Sequence, residues 1–182
     1  MILPVYTYNH PVLKQRATPI TEINDELLTF IDSMFETMYH AEGIGLAANQ
    51  VGSNRNVTVI DLQRAEEDDG GPSEPLVLIN PVIEAFSDDT EEFEEGCLSL
   101  PEFRDKVIRP EAIQVRFMDR DMREIVMEVD SLLARVMQHE IDHLNGIYFF
   151  ERLSSIRRTL AQGKLKRIAR GEFDADYETV TL

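Results

Sequence analysis

Two stretches of the chain carry apolar residues at helical spacing, and the segments around them alternate in strand fashion. In the first stretch Leu27, Leu28, Ile31, Met34, Phe35 and Met38 recur every three or four positions after Asn24. This predicts a capped helix running to about residue 41. The second covers residues 130–146. It opens on the capping residue Asp130, closes on Gly146, and spaces Leu132, Leu133, Val136, Met137, Ile141 and Leu144 so that most of its girth is buried. Short strands are predicted at 57–61, 76–79, 82–86 and 92–98, with a turn at Asn80-Pro81. A further strand at 112–119 turns through Asp119, Arg120 and Asp121 into another at 124–129. Residues 64–75, rich in Glu, Asp, Gly and Pro, read as a mobile loop, and a less regular basic helix starts near Ser154. No internal repeat appears. Helices and strands mixed along the chain in this way place it in the α+β class.

Composition narrows the picture without naming a chemistry. At 182 residues, 43% of them hydrophobic, the chain suits a single domain over 1–182 with a core of its own. One cysteine excludes an internal disulfide framework. The N-terminal residues have neither the basic and apolar parts of an export signal nor an Arg-rich amphipathic pattern, and no apolar run approaches membrane-spanning length. A reducing cytoplasm is the expected compartment, and neither a membrane nor DNA is an expected partner. The net charge of −16 is uneven: residues 61–95 hold thirteen Asp or Glu against Arg64 alone, a run that needs no more than a solvated face.

The candidate chemistry lies in the second helix. His139, Glu140 and His143 form an H-E-x-x-H motif. On a helix, residues i and i+4 share a face, so both imidazoles can grip one metal ion, while Glu140 can move a proton to and from a water on it. Two histidines on a mostly buried helix need partners, and a metal supplies both. A catalytic site usually needs a third protein ligand. The metalloprotease pattern that continues to a third histidine stops here, because Phe149 occupies that position. Glu172 and Glu178, in a polar tail, would make the site that of an H-E-x-x-H metallopeptidase. The better candidate is Cys97, between a glycine and an apolar run, although a lone cysteine is more often a small buried hydrophobe.

Three ordered motifs resemble peptide deformylase: Gly43-Ile44-Gly45-Leu46-Ala47-Ala48-Asn49-Gln50, Glu95-Gly96-Cys97-Leu98-Ser99, and His139-Glu140-Ile141-Asp142-His143-Leu144-Asn145-Gly146. The likeness covers roughly residues 1 to 160. It departs in the acidic loop 64–75 and after about residue 170. It implies a metal-dependent hydrolase with a central metal-binding H-E-x-x-H helix packed against antiparallel β-sheets. The reaction it implies is removal of the formyl group from the N-terminal formylmethionine of newly made proteins, with release of formate. It further implies Cys97, His139 and His143 as metal ligands, normally of Fe²⁺ with Zn²⁺ or Ni²⁺ able to replace it. Glu140 would be the proton carrier, and Gln50 and the Leu98 N–H would be donors to the oxyanion. Ile44, Phe93, Glu95 and Gly96 would line the methionine pocket, and Gly45 backbone groups would align the peptide as an added strand. Leu132 and Val136 stand two and one helical turns before the first ligand on the same face and suit the pocket wall, although a core face has the same composition. Arg104 could reach a peptide carbonyl, but an exposed surface arginine is the simpler reading. A silent homologue that only binds metal or ribosome fits poorly with the retained Glu140 and Gln50.

The C-terminal segment 154–182 adds a partner. Arg157, Arg158, Lys164, Lys166, Arg167 and Arg170 run without an acid between 154 and 170. In a strongly acidic protein this patch suggests attraction to a polyanion, and by resemblance a ribosome contact for an enzyme of nascent chains. A solvated helix whose charges only aid solubility is the plainer alternative. If Ile156, Leu160, Leu165 and Ile168 pack it on the core, truncation at Leu153 risks unfolding.

Overall fold

The computed structural model describes residues 1–63, 65, 72 and 74–182, so most of the acidic stretch 64–75 lies outside the described residues. In chain order the elements are β1 (Val5–Tyr6), α1 (Asp25–His40), β2 (Gly45–Ala47), β3 (Val57–Ile60), β4 (Leu76–Phe86), β5 (Thr90–Cys97), β6 (Leu100–Pro110), β7 (Ile113–Met118), β8 (Glu124–Val129), α2 (Ser131–Leu144), α3 (Ser155–Ile168) and β9 (Thr179–Val180). Strands β2, β3, β4, β7 and β8 form one antiparallel sheet in that order. Strands β5 and β6 form a hairpin, and β1 pairs with β9 in parallel. The expected α+β architecture around the motif helix is what the chain adopts.

Strand alternation sorts the two long predicted helices onto opposite faces of the sheet. Val57, Val59, Val77 and Ile79 point to the face that buries Leu27, Ile31, Met34 and Met38 of α1. Ile60 and Leu78 point to the other, where Ala134, Val136, Met137 and Ile141 of α2 pack with Val115 and Phe117. Helix α1 begins as expected, with the Asn24 side chain accepting from the Leu27 N–H at 2.9 Å. Asp130 stands at the α2 cap position but makes no side-chain capping bond. At the far end Gly146 has φ of 73°, and a Cβ there would come within 2.5 Å of the Lys14 carbonyl oxygen. Only glycine closes this helix without strain.

Three expectations need correction. Residues 76–79 and 82–86 are one strand, β4. Asn80-Pro81 makes a bulge rather than a turn, with Asn80 at φ 52° and the pairing stepping from Ile79–Met118 to Val82–Arg116. Hydrogen bonds between the Asn80 amide and Ile20, at 2.8 and 2.7 Å, hold the bulge. Strand β6 was not anticipated at all. The basic helix is regular and capped by Ser154, and it packs through Ala161, Leu165 and Ile168, whereas Ile156 and Leu160 are 73% and 77% exposed. Among the described residues no helix is long and apolar enough to cross a membrane.

Candidate active site

Helix α2 is buried at every position from Ala134 to Leu144, which fixes the His139 and His143 rotamers by packing. The β5–β6 hairpin brings up Cys97 at its end, where Cys97 pairs with Leu100 across the two-residue turn Leu98–Ser99. The Cys97 Sγ lies 3.2 Å from His143 Nε2, which lies 3.1 Å from His139 Nε2. All three ligand atoms fall within 4.8 Å of one another, and they form the one such group of His, Cys, Asp and Glu among the described residues. A tetrahedral ion bound by one sulfur and two nitrogens separates its ligands by about 3.3–3.6 Å, so the cluster matches a metal site with little adjustment. Glu172, the alternative third ligand, instead faces Arg167 and Arg170 on the surface, and Glu178 gives its carbonyl to the Val5 N–H.

Electrostatics support the same assignment. Burial alone would lower the His139 pKa, but its hydrogen bonds with Cys97 and Glu95 override this and raise it to about 10. Burial, reinforced by the charge of His139, pushes His143 well below its ordinary value, so it keeps a free lone pair. Negative groups thus converge where three donor atoms meet, a demand that a divalent cation meets more fully than one shared proton. The His139 Nδ1 faces Glu95 Oε2 at 2.8 Å, which leaves Nε2 as the ligand atom.

Glu95 does more here than an apolar pocket wall requires. Its carboxylate accepts from Arg109 Nε and Nη2 and from Arg135 Nη1, as well as facing His139. Burial opposes its ionisation, yet His139 and Arg109 hold it well below the usual carboxylate range. Arg109 also reaches Asp142 at 2.6 Å, and Asp142 accepts two further bonds from Arg152. Arg109, Arg135, Asp142 and Arg152 were not singled out from sequence. A usable signal was Asp142 itself, because an acid inside a buried motif helix requires a cationic partner.

The remaining motif residues close around this centre. Glu140 is buried with Oε2 unpartnered among the described residues, and burial, partly offset by the charge of His139, raises its carboxyl to about 7. Gly45 makes room for it: a Cβ there would stand 2.5 Å from Glu140 Oε1. Gln50 accepts from the Ala47 N–H through Oε1 at 2.9 Å, which turns its Nε2 towards Cys97 Sγ and Ser99 Oγ, at 3.4 and 3.3 Å. The neighbouring Asn49 donates to the His143 carbonyl and ties the glycine loop to α2. Ile44, Leu132 and Val136 share one apolar cluster with Ile60 and Leu62. Phe93 stacks under the Arg135 guanidinium at 5.1 Å, and Gly96 backs onto Arg104. Arg104 itself is exposed beside Glu94.

Comparison with known proteins agrees with the geometry. The polypeptide deformylase family profile matches residues 2–159. A peptide deformylase of Salinibacter ruber is 46% identical over 100% of this chain and 95% of its own length. One of Acidobacterium capsulatum is 46% identical over 93% and 97%. A crystal structure of a peptide deformylase from Legionella pneumophila superposes with a TM-score of 0.83 at 37% identity, covering 94% of this chain and 98% of that one. One from Synechococcus elongatus, in complex with actinonin, gives 0.80 at 40% identity, covering 98% and 92%.

Proposed function

The chain belongs to the peptide deformylase family, enzymes that remove the N-formyl group from nascent peptides, and we propose that Glu140, Gln50 and the Leu98 N–H perform that reaction beside a metal held by Cys97, His139 and His143. The observation that carries this reading is the convergence of one sulfur and two imidazole nitrogens with Glu140 next to them on a buried helix. An ion at that point would lower the pKa of a bound water towards neutrality and polarise the formyl carbonyl.

The residues divide the remaining work. Glu140 takes the proton as the water oxygen bonds to the formyl carbon, then gives it to the amine nitrogen as the C–N bond breaks. Formate and a free N-terminal amine are the products. The Leu98 N–H and Gln50 Nε2 donate to the carbonyl oxygen while it carries negative charge. Ile44, Leu132 and Val136, with Phe93 and the backbone at Glu95 and Gly96, bound the pocket for the unbranched methionine side chain, and Gly45 aligns the peptide in strand fashion. Glu95 contributes chiefly by orienting His139.

We read residues 1–182 as one deformylase domain of the cytoplasm that docks on the ribosome through the basic face of α3. A soft thiolate beside two imidazoles accepts several first-row ions, and the family points to Fe²⁺, with Zn²⁺ or Ni²⁺ as substitutes. The test is formate release from a formyl-Met peptide by protein reconstituted anaerobically with Fe²⁺, beside the unformylated peptide. Formate from the first and no cleavage of the second is expected. Cleavage of an internal peptide bond would instead identify a metallopeptidase.

A further inference from the structure

Both carbonyl groups of the Leu98–Ser99 turn are held from outside the hairpin. The Tyr177 hydroxyl donates to the Leu98 carbonyl at 2.8 Å, and the Tyr8 N–H donates to the Ser99 carbonyl at 2.9 Å. Tyr8 follows β1 and Tyr177 precedes β9, so the two donors are carried by one parallel ribbon. That ribbon is fastened by Val5 N–H to the Glu178 carbonyl at 2.8 Å and Thr7 N–H to the Val180 carbonyl at 3.0 Å. A bond of 3.0 Å between the Thr7 and Thr181 hydroxyls adds to it.

This matters because of how a turn aims its amides. Cys97 is fixed by its pairing with Leu100. The Leu98 N–H belongs to the peptide plane before Leu98 and its carbonyl to the plane after, and the two planes share one α-carbon. With Cys97 anchored on one side and the Leu98 carbonyl on the other, the N–H direction has little freedom left. Burial raises the Tyr177 pKa, so its hydroxyl keeps the proton it donates.

We propose that Tyr177 is a positioning residue for deformylation: by anchoring the Leu98 carbonyl it aims the Leu98 N–H at the developing oxyanion. This rests on the reading of Leu98 as an oxyanion donor. Tyr177 lies beyond the region matched by the family profile, which ends at residue 159. Nothing in the motifs points to it.

The experiment uses Tyr177→Phe, which removes one hydroxyl and keeps the ring. The zinc-loaded full-length protein is measured for formate release, for zinc content and for the amide ¹⁵N–¹H resonance of Leu98. The expected result is a kcat lower by about tenfold with KM within about twofold, since a misaimed donor loses part of what a deleted one would. Zinc content should be unchanged, and the Leu98 resonance should shift while that of Val59 stays in place. A purely structural role would lower the melting temperature and leave kcat alone. Unchanged kcat with an unmoved Leu98 resonance overturns the proposal and leaves the role of Leu98 standing. A lower kcat with an unmoved resonance also overturns it, because Tyr177 would then act by another route. A moved resonance with unchanged kcat removes Leu98 from the oxyanion site and takes the catalytic role of Tyr177 with it.

Discussion

Arg109 grips Glu95 through two hydrogen bonds, of 2.7 Å from Nε and 3.0 Å from Nη2, with both side chains 4% exposed. The same guanidinium bonds Asp142, so one cation spans two buried carboxylates, Glu95 of β5 and Asp142 of α2. Removing it would leave Glu95 to Arg135 and His139 alone, and Asp142 to Arg152 alone. Arg109→Met is expected to cost about 3–5 kcal/mol of unfolding free energy, the usual penalty for breaking a buried pair on one side. Urea denaturation measures this. A loss below about 1 kcal/mol would show that water or Arg152 takes over the role.

Glu140→Gln keeps the shape of the side chain but cannot accept a proton. Turnover should fall by at least about 10²–10⁴-fold, the contribution of a positioned acid–base group. Bound metal should remain stoichiometric, because the proposed ligands Cys97, His139 and His143 are untouched. Elemental analysis beside the formate assay checks both, and metal lost together with activity would refute the assignment of Glu140.

Gly45→Ala tests the space above Glu140. The new methyl would meet a buried carboxylate at 2.5 Å, and Glu140 must move aside. Since small displacements of reacting groups are costly, kcat should drop by about 10²-fold. Metal binding should persist. Wild-type kcat in this variant would mean that Glu140 has room that its packing does not suggest.

Tyr148 and Tyr177 give alkaline behaviour a definite sign. Burial raises both phenols above their ordinary value of 10.0. In the unfolded chain they ionise near that value while the folded chain still holds its protons. Their stabilising contribution is therefore complete below pH 10 and is lost as pH rises through the raised values. The urea midpoint should fall between pH 9 and pH 11, and fall less in Tyr148→Phe/Tyr177→Phe. Equal falls in the two proteins would assign the alkaline loss to other groups.

The basic helix offers a separable test. Lys164, Lys166, Arg167 and Arg170 are exposed, while the packing residues Ala161, Leu165 and Ile168 lie on the other side. Reversing the four charges should weaken co-sedimentation with ribosomes and flatten its salt dependence. Hydrolysis of a short formyl-Met peptide should not change. Undiminished co-sedimentation across the series would sink the docking role.

Much of the site was legible because its residues sit in short runs whose spacing encodes one geometry. Helical period alone puts His139 and His143 on one face, and the glycines at 43 and 45 mark a loop that must pass close to something. The hairpin partner β6 was hidden. Its strand carries Pro101, Arg104, Asp105, Lys106 and Arg109, and an alternation broken by charge looks like a loop until Arg109 is seen buried against Glu95. Asn80-Pro81 looked like a turn because the backbone does leave strand geometry there, but the sheet absorbs it as a bulge. In α3 the larger residues Ile156 and Leu160 suit a core face by size, yet they are exposed and the smaller Ala161 lies on the packed face. The β1–β9 ribbon is two residues long on each side, too short for any periodicity to show.

The two sides of the proposed ligand set are unequally protected. His139 and His143 belong to a helix buried over eleven successive residues, whereas Cys97 and Leu98 are half-buried at a hairpin end. Backbone amides of α2 should therefore exchange with deuterium only when the whole protein opens, and those around Cys97 through smaller excursions. An ion entering or leaving would follow the easier motion. The half-life of bound metal would then be set by breathing of the hairpin and its tyrosine anchor, long before the helix that carries the signature motif begins to loosen.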